Sequence, residues 1–168
     1  MKEIRVKDAN LQIAAKEGMD SFVHVFVDAI HSAIGGELTA ENMGELNSDQ
    51  VTLLAYVMLR DEVMDGGFVQ LIHNGLGPFF FNNPFALAVK RWGLRPLSKL
   101  IYDARKLYKE HGADIEKECS DDEFMALFEH FPMFDEIDDE FVENEEEWTA
   151  AVAYYIDEHI ERFVVVES

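Results

Sequence analysis

Polar side chains that could bind a ligand follow a pair of adjacent glycines, Gly66-Gly67. Gln70, His73 and Asn74 lie three and four residues apart, so a helical turn would bring them to one side. Amide and imidazole groups placed in this way suit a small polar ligand in a cleft. Covalent catalysis would also need a nucleophile, and this stretch contains none.

A structural role for the same stretch competes with the ligand site. The glycines do not form a phosphate-binding loop, because no G-x-x-x-x-G-K-[ST] sequence follows them and no strand precedes them. Without a Cβ atom they let two helices approach closely or bend. In this interpretation the amides of Gln70 and Asn74 bond to backbone groups freed at the break, and Gly67→Val costs stability before it costs binding.

Two further groups of residues have metal-binding or nucleophilic chemistry. His24, Asp28 and His31 share one face of a predicted helix, and these residue types bind transition metals. A solvated face opposite the apolar stripe accounts for them more simply, and no second helix offers a carboxylate-x-x-His pair. Cys119 has no histidine near it in sequence, and its acidic neighbours disfavour the thiolate. We predict no metal, no cofactor and no catalysis.

Negative charge is the strongest feature of the composition. The 168 residues carry a formal net charge of −20, and residues 114–168 contain two basic and twenty acidic side chains. Such a surface repels nucleic acid and anionic membranes and attracts basic partners. Solubility alone is the simpler explanation of this charge.

Rows of carboxylates in the acidic part suggest a more specific use. On a helix, residues three or four apart have Cβ atoms about 5–6 Å apart, which is comparable to the spacing of successive phosphates along a nucleic-acid strand. A basic partner would relieve the self-repulsion of such rows and release counterions. The candidate phosphate-mimicking carboxylates are Glu136, Asp139, Glu140, Glu143 and Glu147.

Helical periodicity runs through the whole chain and predicts a single all-α domain over residues 1–168. The helix at about 48–65 is apolar almost all round and should be the buried centre of a multi-helix bundle. Asn47 and Gln50 are spaced as a capping box at its start, and Ser120 and Glu123 repeat that pattern. The other predicted helices span about 8–17, 20–34, 84–92, 96–112 and 121–131, followed by one or two helices from 134 onwards, divided near Asn144.

Three local expectations concern the regions between or beside these helices. Residues 78–84 should form a turn whose phenylalanines plug the core. Phe124, Leu127, Phe128 and Phe131 should be the buried face of their helix. A short strand is predicted at about 163–166. The apolar runs are too short for a membrane span, and a single cysteine fits a reducing cytoplasm.

The glycine stretch also carries a family resemblance. Gly66, Gly67, Phe68, Gln70, Asn74 and Gly77 resemble the G-G-F-x-Q-x-x-x-N-x-x-G core of the bacterial DNA-mimic protein family (DMP-nineteen family), over about residues 45–163. The resemblance implies an all-helical domain and, as in the member that named the family, a homodimer whose acidic surface imitates DNA and occupies a basic DNA-binding protein. The motif positions are then fold determinants.

The acidic charge pattern and the family resemblance together predict a non-enzymatic acidic binding protein, in which the carboxylates block a basic DNA-binding protein. A small-molecule or metal-binding helical domain is one alternative. A general protein-interaction module without DNA mimicry is the other.

Overall fold

The computed structural model describes residues 3–168, which form eight α-helices and one two-stranded sheet. This confirms the all-α class. Within that range no helix combines the length and the apolar character needed to cross a membrane. The helices are α1 (Asp8–Glu17), α2 (Met19–Ile34), α3 (Ser48–His73), α4 (Gly77–Phe81), α5 (Phe85–Arg91), α6 (Arg95–Ile115), α7 (Asp121–His130) and α8 (Asp135–Glu158), and the strands are β1 (Arg5–Lys7) and β2 (Val165–Glu167).

The chain divides into two compact units. The first contains the residues up to Tyr56 together with Glu146–Ser168, and the second is Val57–Glu145. The two long helices α3 and α8 each contribute residues to both units. The single domain expected from the sequence stays a prediction.

The first unit is built around the apolar stripe of α2. Val23, Phe26 and Ile30 are fully buried, and Phe26 meets Phe163 edge to face at 6.2 Å between ring centroids. The left-handed backbone of Gly35 (φ 83°) ends the helix, as predicted.

A parallel pairing of β1 with β2 joins the two chain ends of this unit, in a register that places Val6 opposite Val166. The second strand was expected and the first was not. Residues 4–7 alternate apolar and charged, and Ile4 and Val6 are buried while Arg5 and Lys7 are exposed. That alternation is a strand signal, too short to stand out in a helical sequence.

The helix α3 begins with the predicted capping box. The N–H of Asn47 donates to Gln50 Oε1 (3.0 Å), and the N–H of Gln50 donates to Asn47 Oδ1 (2.8 Å). Leu53, Leu54 and Leu59 are at most 1% exposed, which agrees with the expectation of a helix buried almost all round.

Two expectations for the second unit are wrong, because neither a glycine nor a proline stops a helix in every position. Gly112 does not end α6, which continues to the buried Ile115. A Cβ at Gly112 would lie 2.7 Å from Tyr108 Cε1, so this glycine provides room for the ring. Residues 77–81 form the short helix α4 where a turn was expected, since proline is accepted in the first helical turn. Of the three phenylalanines that were expected to plug the core, Phe80 and Phe81 are buried and Phe79 is half-buried.

The apolar face of α7 is less buried than its sequence suggests. The Ser120–Glu123 capping box is present, but no residue of α7 is buried. Phe124 lies on the ring of His73 (4.7 Å between centroids) and Phe131 on the ring of His111 (5.5 Å). The expected buried face of Phe124, Leu127, Phe128 and Phe131 is therefore a half-buried one.

Within the acidic C-terminal third, residues 135–158 form one long helix, α8, which is not divided near Asn144. Asn144 donates its side-chain amide to the carbonyl oxygen of Glu140 (2.8 Å) and does not cap a new helix. Phe134 and Phe141 are fully buried in the second unit, and Trp148, Val152 and Ile156 continue the buried stripe in the first.

Candidate functional site

The predicted break at Gly66-Gly67 is present inside α3. Gly66 has φ −145° and ψ 15°, and Gly67 has φ 73° and ψ −176°. A positive φ is unfavourable for residues with a Cβ atom. Gly67 is therefore required by its backbone conformation.

Two side chains fill the space beside the glycines. A Cβ at residue 67 would lie 3.0 Å from Oδ1 of Asp138 and closer still to its Cγ. A Cβ at residue 66 would lie 2.5 Å from the side-chain Cδ of Gln70. The glycine pair thus lets an acidic side chain and an amide approach the backbone, which supports the structural interpretation.

Asp138 also satisfies the first free backbone donor after the break. The N–H of Phe68 donates to Asp138 Oδ1 at 2.8 Å, and the Phe68 side chain is fully buried. Burial raises the pKa of Asp138 from 3.8 to about 7; the hydrogen bond from Phe68 opposes the shift, while the charges of Asp135 and Asp139 add to it.

Sequence reasoning missed Asp138 although a signal was available. It is separated from Phe134 by four residues and from Phe141 by three, and both phenylalanines are fully buried. An aspartate in this register falls on the apolar side of the helix and needs a polar partner. Its position within a run of acidic residues concealed that requirement.

The prediction that the side-chain amides of Gln70 and Asn74 bond to the freed backbone groups is wrong. Gln70 Nε2 donates to Glu62 Oε2 and to Asp65 Oδ2, each at 3.0 Å. Asn74 Nδ2 donates to the same Glu62 oxygen, also at 3.0 Å. These carboxylates lie one to three turns earlier on α3, before the break. The two amides therefore connect the two halves of the broken helix.

His73 lies apart from this amide cluster. Its Nδ1 is 2.8 Å from the carbonyl oxygen of Ile115, and because a carbonyl only accepts, this nitrogen carries the proton. Nε2 then faces Cys119 Sγ at 4.0 Å. A histidine is therefore near Cys119 in space, which the sequence did not reveal, and Gln70, His73 and Asn74 do not form one polar cleft.

Gly77 completes the family motif for a packing reason. It is buried, and a Cβ there would lie 2.7 Å from Cζ of the Tyr108 ring. The same ring contacts Phe81 at 5.0 Å between centroids. Gly77 is thus a close-approach position, as expected of a fold determinant.

The candidate carboxylates of α8 are all exposed to solvent. Four of them lie in the second unit and Glu147 lies in the first. The chain contains no lysine or arginine between Lys117 and Arg162, so α8 has no cationic side chain of its own. The four carboxylates of the second unit are Glu136, Asp139, Glu140 and Glu143.

These four side chains line an open groove of about 760 Å³ together with residues of α6. The α6 residues of the groove include Lys99 and Lys106. Lys99 Nζ lies 3.7 Å from Asp103 Oδ2 on the same helix. The groove therefore combines acidic and basic side chains. The basic face of α6 therefore borders the candidate carboxylates of α8.

The weak metal candidates gain no support from the structure. In residues 3–168, no three His, Cys, Asp or Glu side chains are grouped so as to hold a metal ion. His24 Nδ1 instead lies 2.9 Å from the carbonyl oxygen of Asp20, and Asp28 is exposed. His24 and His31 are half-buried, and the solvated-face explanation of this group stays a prediction.

Comparison with known proteins agrees with the motif. Residues 44–159 match the family model described as DMP19-like protein. The chain is also 35% identical over 134 residues to a protein named "DNA mimic protein DMP19" from Neisseria meningitidis serogroup B (strain ATCC BAA-335 / MC58), with 79% of each chain covered. The resemblance stated from the sequence is confirmed.

Proposed function

The chain belongs to the DMP19-like protein family, and on that premise we propose that it is a non-enzymatic DNA mimic. In this proposal its exposed carboxylates take the place of DNA phosphates and occupy the DNA-binding surface of a basic protein. The similarity to the Neisseria protein named as a DNA mimic supports this role.

The observation that carries the proposal is the acidic face of α8. Glu136, Asp139, Glu140 and Glu143 are exposed along one continuous helix. The helix holds them about 5–6 Å apart at spacings of three and four residues, so the order of the charges does not depend on flexible loops. Glu147 extends the proposed row along the helix.

The energetics favour a cationic partner. Neighbouring carboxylates on α8 repel one another and destabilise the folded state, and within the groove the opposite charge comes from Lys99 and Lys106 of α6. A basic protein surface would relieve that repulsion. The association would also release counterions, as happens when a protein binds DNA. Binding should consequently weaken as the salt concentration rises.

A pull-down from host lysate at about 50 mM salt would test this proposal. We expect a DNA-binding protein to be retained, to elute as salt rises, and to be displaced by duplex DNA. Retention of no DNA-binding protein, or binding that duplex DNA does not displace, would overturn it.

A matched pair of variants would then locate the contact surface. Each variant neutralises four exposed carboxylates, and only the first affects α8. The two sets are E136Q/D139N/E140Q/E143Q and E17Q/D28N/E37Q/E41Q. We expect the α8 variant to lose about tenfold or more in affinity, because rows of fixed charge dominate such binding, and the control to lose about twofold at most. Equal losses would remove α8 as the contact surface.

The half-buried face of α7 favours a second candidate, a protein-interaction module without DNA mimicry. Met125 is 66% exposed, and no residue of α7 is buried. A partner held by apolar contact would bind independently of salt and would not compete with duplex DNA. The competition experiment above separates the two candidates.

We also propose that the protein acts in the cytoplasm as a homodimer. The resemblance suggests the dimer, and the single Cys119 suits a reducing compartment. Light scattering on the purified chain tests the assembly state: a constant monomer mass at concentrations up to those used for binding would contradict it.

A further inference from the structure

We propose that Asp138 is a proton-dependent latch on the helix break, closed when its carboxyl group is protonated and released more readily when it is ionised. The latch joins the amino-terminal part of α8 to the second half of α3. It operates whatever partner the acidic face binds.

The geometry brings one acidic side chain onto one special backbone site. The carboxyl group of Asp138 lies on the Cα of Gly67 and accepts the Phe68 N–H at 2.8 Å. Glycine is the residue type that permits both the φ of 73° at position 67 and this close approach. The position of the half-buried Asp138 carboxyl group therefore depends on the glycine break.

Ionisation works against this arrangement for two reasons. The carboxyl group is largely removed from water where it meets α3, and the carboxylates of Asp135 and Asp139 on its own helix add repulsion. What α3 presents to it is the backbone of Gly67 and the N–H of Phe68. One neutral N–H donor compensates only part of the lost hydration.

Linkage gives the direction of the effect. The pKa of Asp138 is about 7 in the closed state, and it returns to about 4 in an open state where water reaches it. The closed state therefore binds more protons between these two values, and opening becomes more frequent as pH rises through that window. Above pH 7 the opening frequency levels off.

Hydrogen exchange at the Phe68 amide measures this opening directly. We expect its protection factor, corrected for the intrinsic exchange rate, to fall about tenfold or more between pH 5 and pH 7.5. In D138N the Phe68 protection factor should change by no more than about twofold over the same pH range, because the side-chain oxygen still accepts the hydrogen bond and no charge develops. The amide of Val27, on the buried side of α2, serves as reference.

D139N is the matched control, since it removes an exposed carboxylate one position away. Its Phe68 protection should still fall with pH. A constant wild-type factor, or the same fall in D138N, would overturn the latch.

A second measurement keeps the test decisive if D138N does not fold. The side-chain carboxyl ¹³C shift of Asp138 in the wild-type protein should titrate near pH 7 together with the Phe68 amide shift. A midpoint near pH 4, or an Asp138 titration that the Phe68 amide does not follow, would overturn the latch.

Discussion

The carboxyl group of Asp138 occupies the space that a side chain at Gly67 would need. This pairing ties the most characteristic motif of the sequence to the acidic helix, although the two lie about seventy residues apart. We propose that the motif acts as a structural determinant in this arrangement, and that it helps to position α8.

Replacement of Gly67 should destabilise the protein by more than its backbone angle alone explains. Gly67→Ala must adopt φ 73° and also displace Asp138, so we expect a loss of about 2–4 kcal/mol in the free energy of unfolding, with more for Gly67→Val. Gly75→Ala is the control, because it has φ 84° and open space around it, and should cost about 1–2 kcal/mol. Chemical denaturation measures both, and equal losses would show that Asp138 is not in the way.

Global stability should depend on the protonation of Asp138. Its folded pKa of about 7 exceeds the ordinary 3.8, chiefly because of burial. The native state thus binds more protons than the unfolded state between those values, so this group's stabilising contribution, present at low pH, is lost as pH rises through the window. Relative to D138N, the wild type should lose about 2–4 kcal/mol between pH 4 and pH 7.5. Denaturation at a series of pH values checks this, and D139N should retain most of the wild-type loss, because the charge of Asp139 adds less to the raised pKa of Asp138 than burial does.

Removal of the α3 cap should lower the free energy of unfolding by more than removal of the α7 cap does. Gln50 accepts from Asn47, and its buried amide also donates to the carbonyl oxygen of Phe163 at 2.8 Å. We expect Gln50→Ala to lose about 2–3 kcal/mol and Ser120→Ala, an exposed cap, about 1 kcal/mol. The comparison uses the midpoint of urea unfolding. A larger effect at Ser120 would contradict the buried role of Gln50.

The hydroxyl groups of Tyr56 and Thr149 should show a measurable coupling energy. They lie 2.8 Å apart and both residues are buried. Tyr56→Phe and Thr149→Val should each cost about 1–2 kcal/mol, and the double variant should cost less than their sum by about 1 kcal/mol. A double-mutant cycle in thermal unfolding gives this value, and strict additivity would indicate that other partners satisfy both hydroxyl groups.

Local signals predicted the elements that depend on local chemistry. Glycine after Ile34, the Asn47–Gln50 pair and the apolar run after it gave the end of α2 and the start of α3, since caps and stops act within a few residues. Gly112 carries the same stop signal inside α6, where the Tyr108 ring, one turn away, requires a residue without Cβ. The sequence does not distinguish these two uses of glycine.

The candidate site was predictable only where exposure follows from helical spacing. Glu136, Asp139, Glu140 and Glu143 lie on the solvent side because Phe134, Ile137 and Phe141 define the buried side. The partner of Asp138, the groove lysines and the approach of His73 to Cys119 depend on contacts between helices distant in sequence. Periodicity along one helix carries no information about such contacts.

The discontinuous composition of the first unit has a consequence for synthesis on the ribosome. Its sheet pairs β1 with β2 and its α3 cap bonds to Arg162 and Phe163, so it cannot be completed until residues 162–167 have left the exit tunnel. The second unit is one continuous segment, Val57–Glu145, and can assemble earlier. Loss of residues 162–167 would consequently leave β1 and the start of α3, which are synthesised earlier, without these partners.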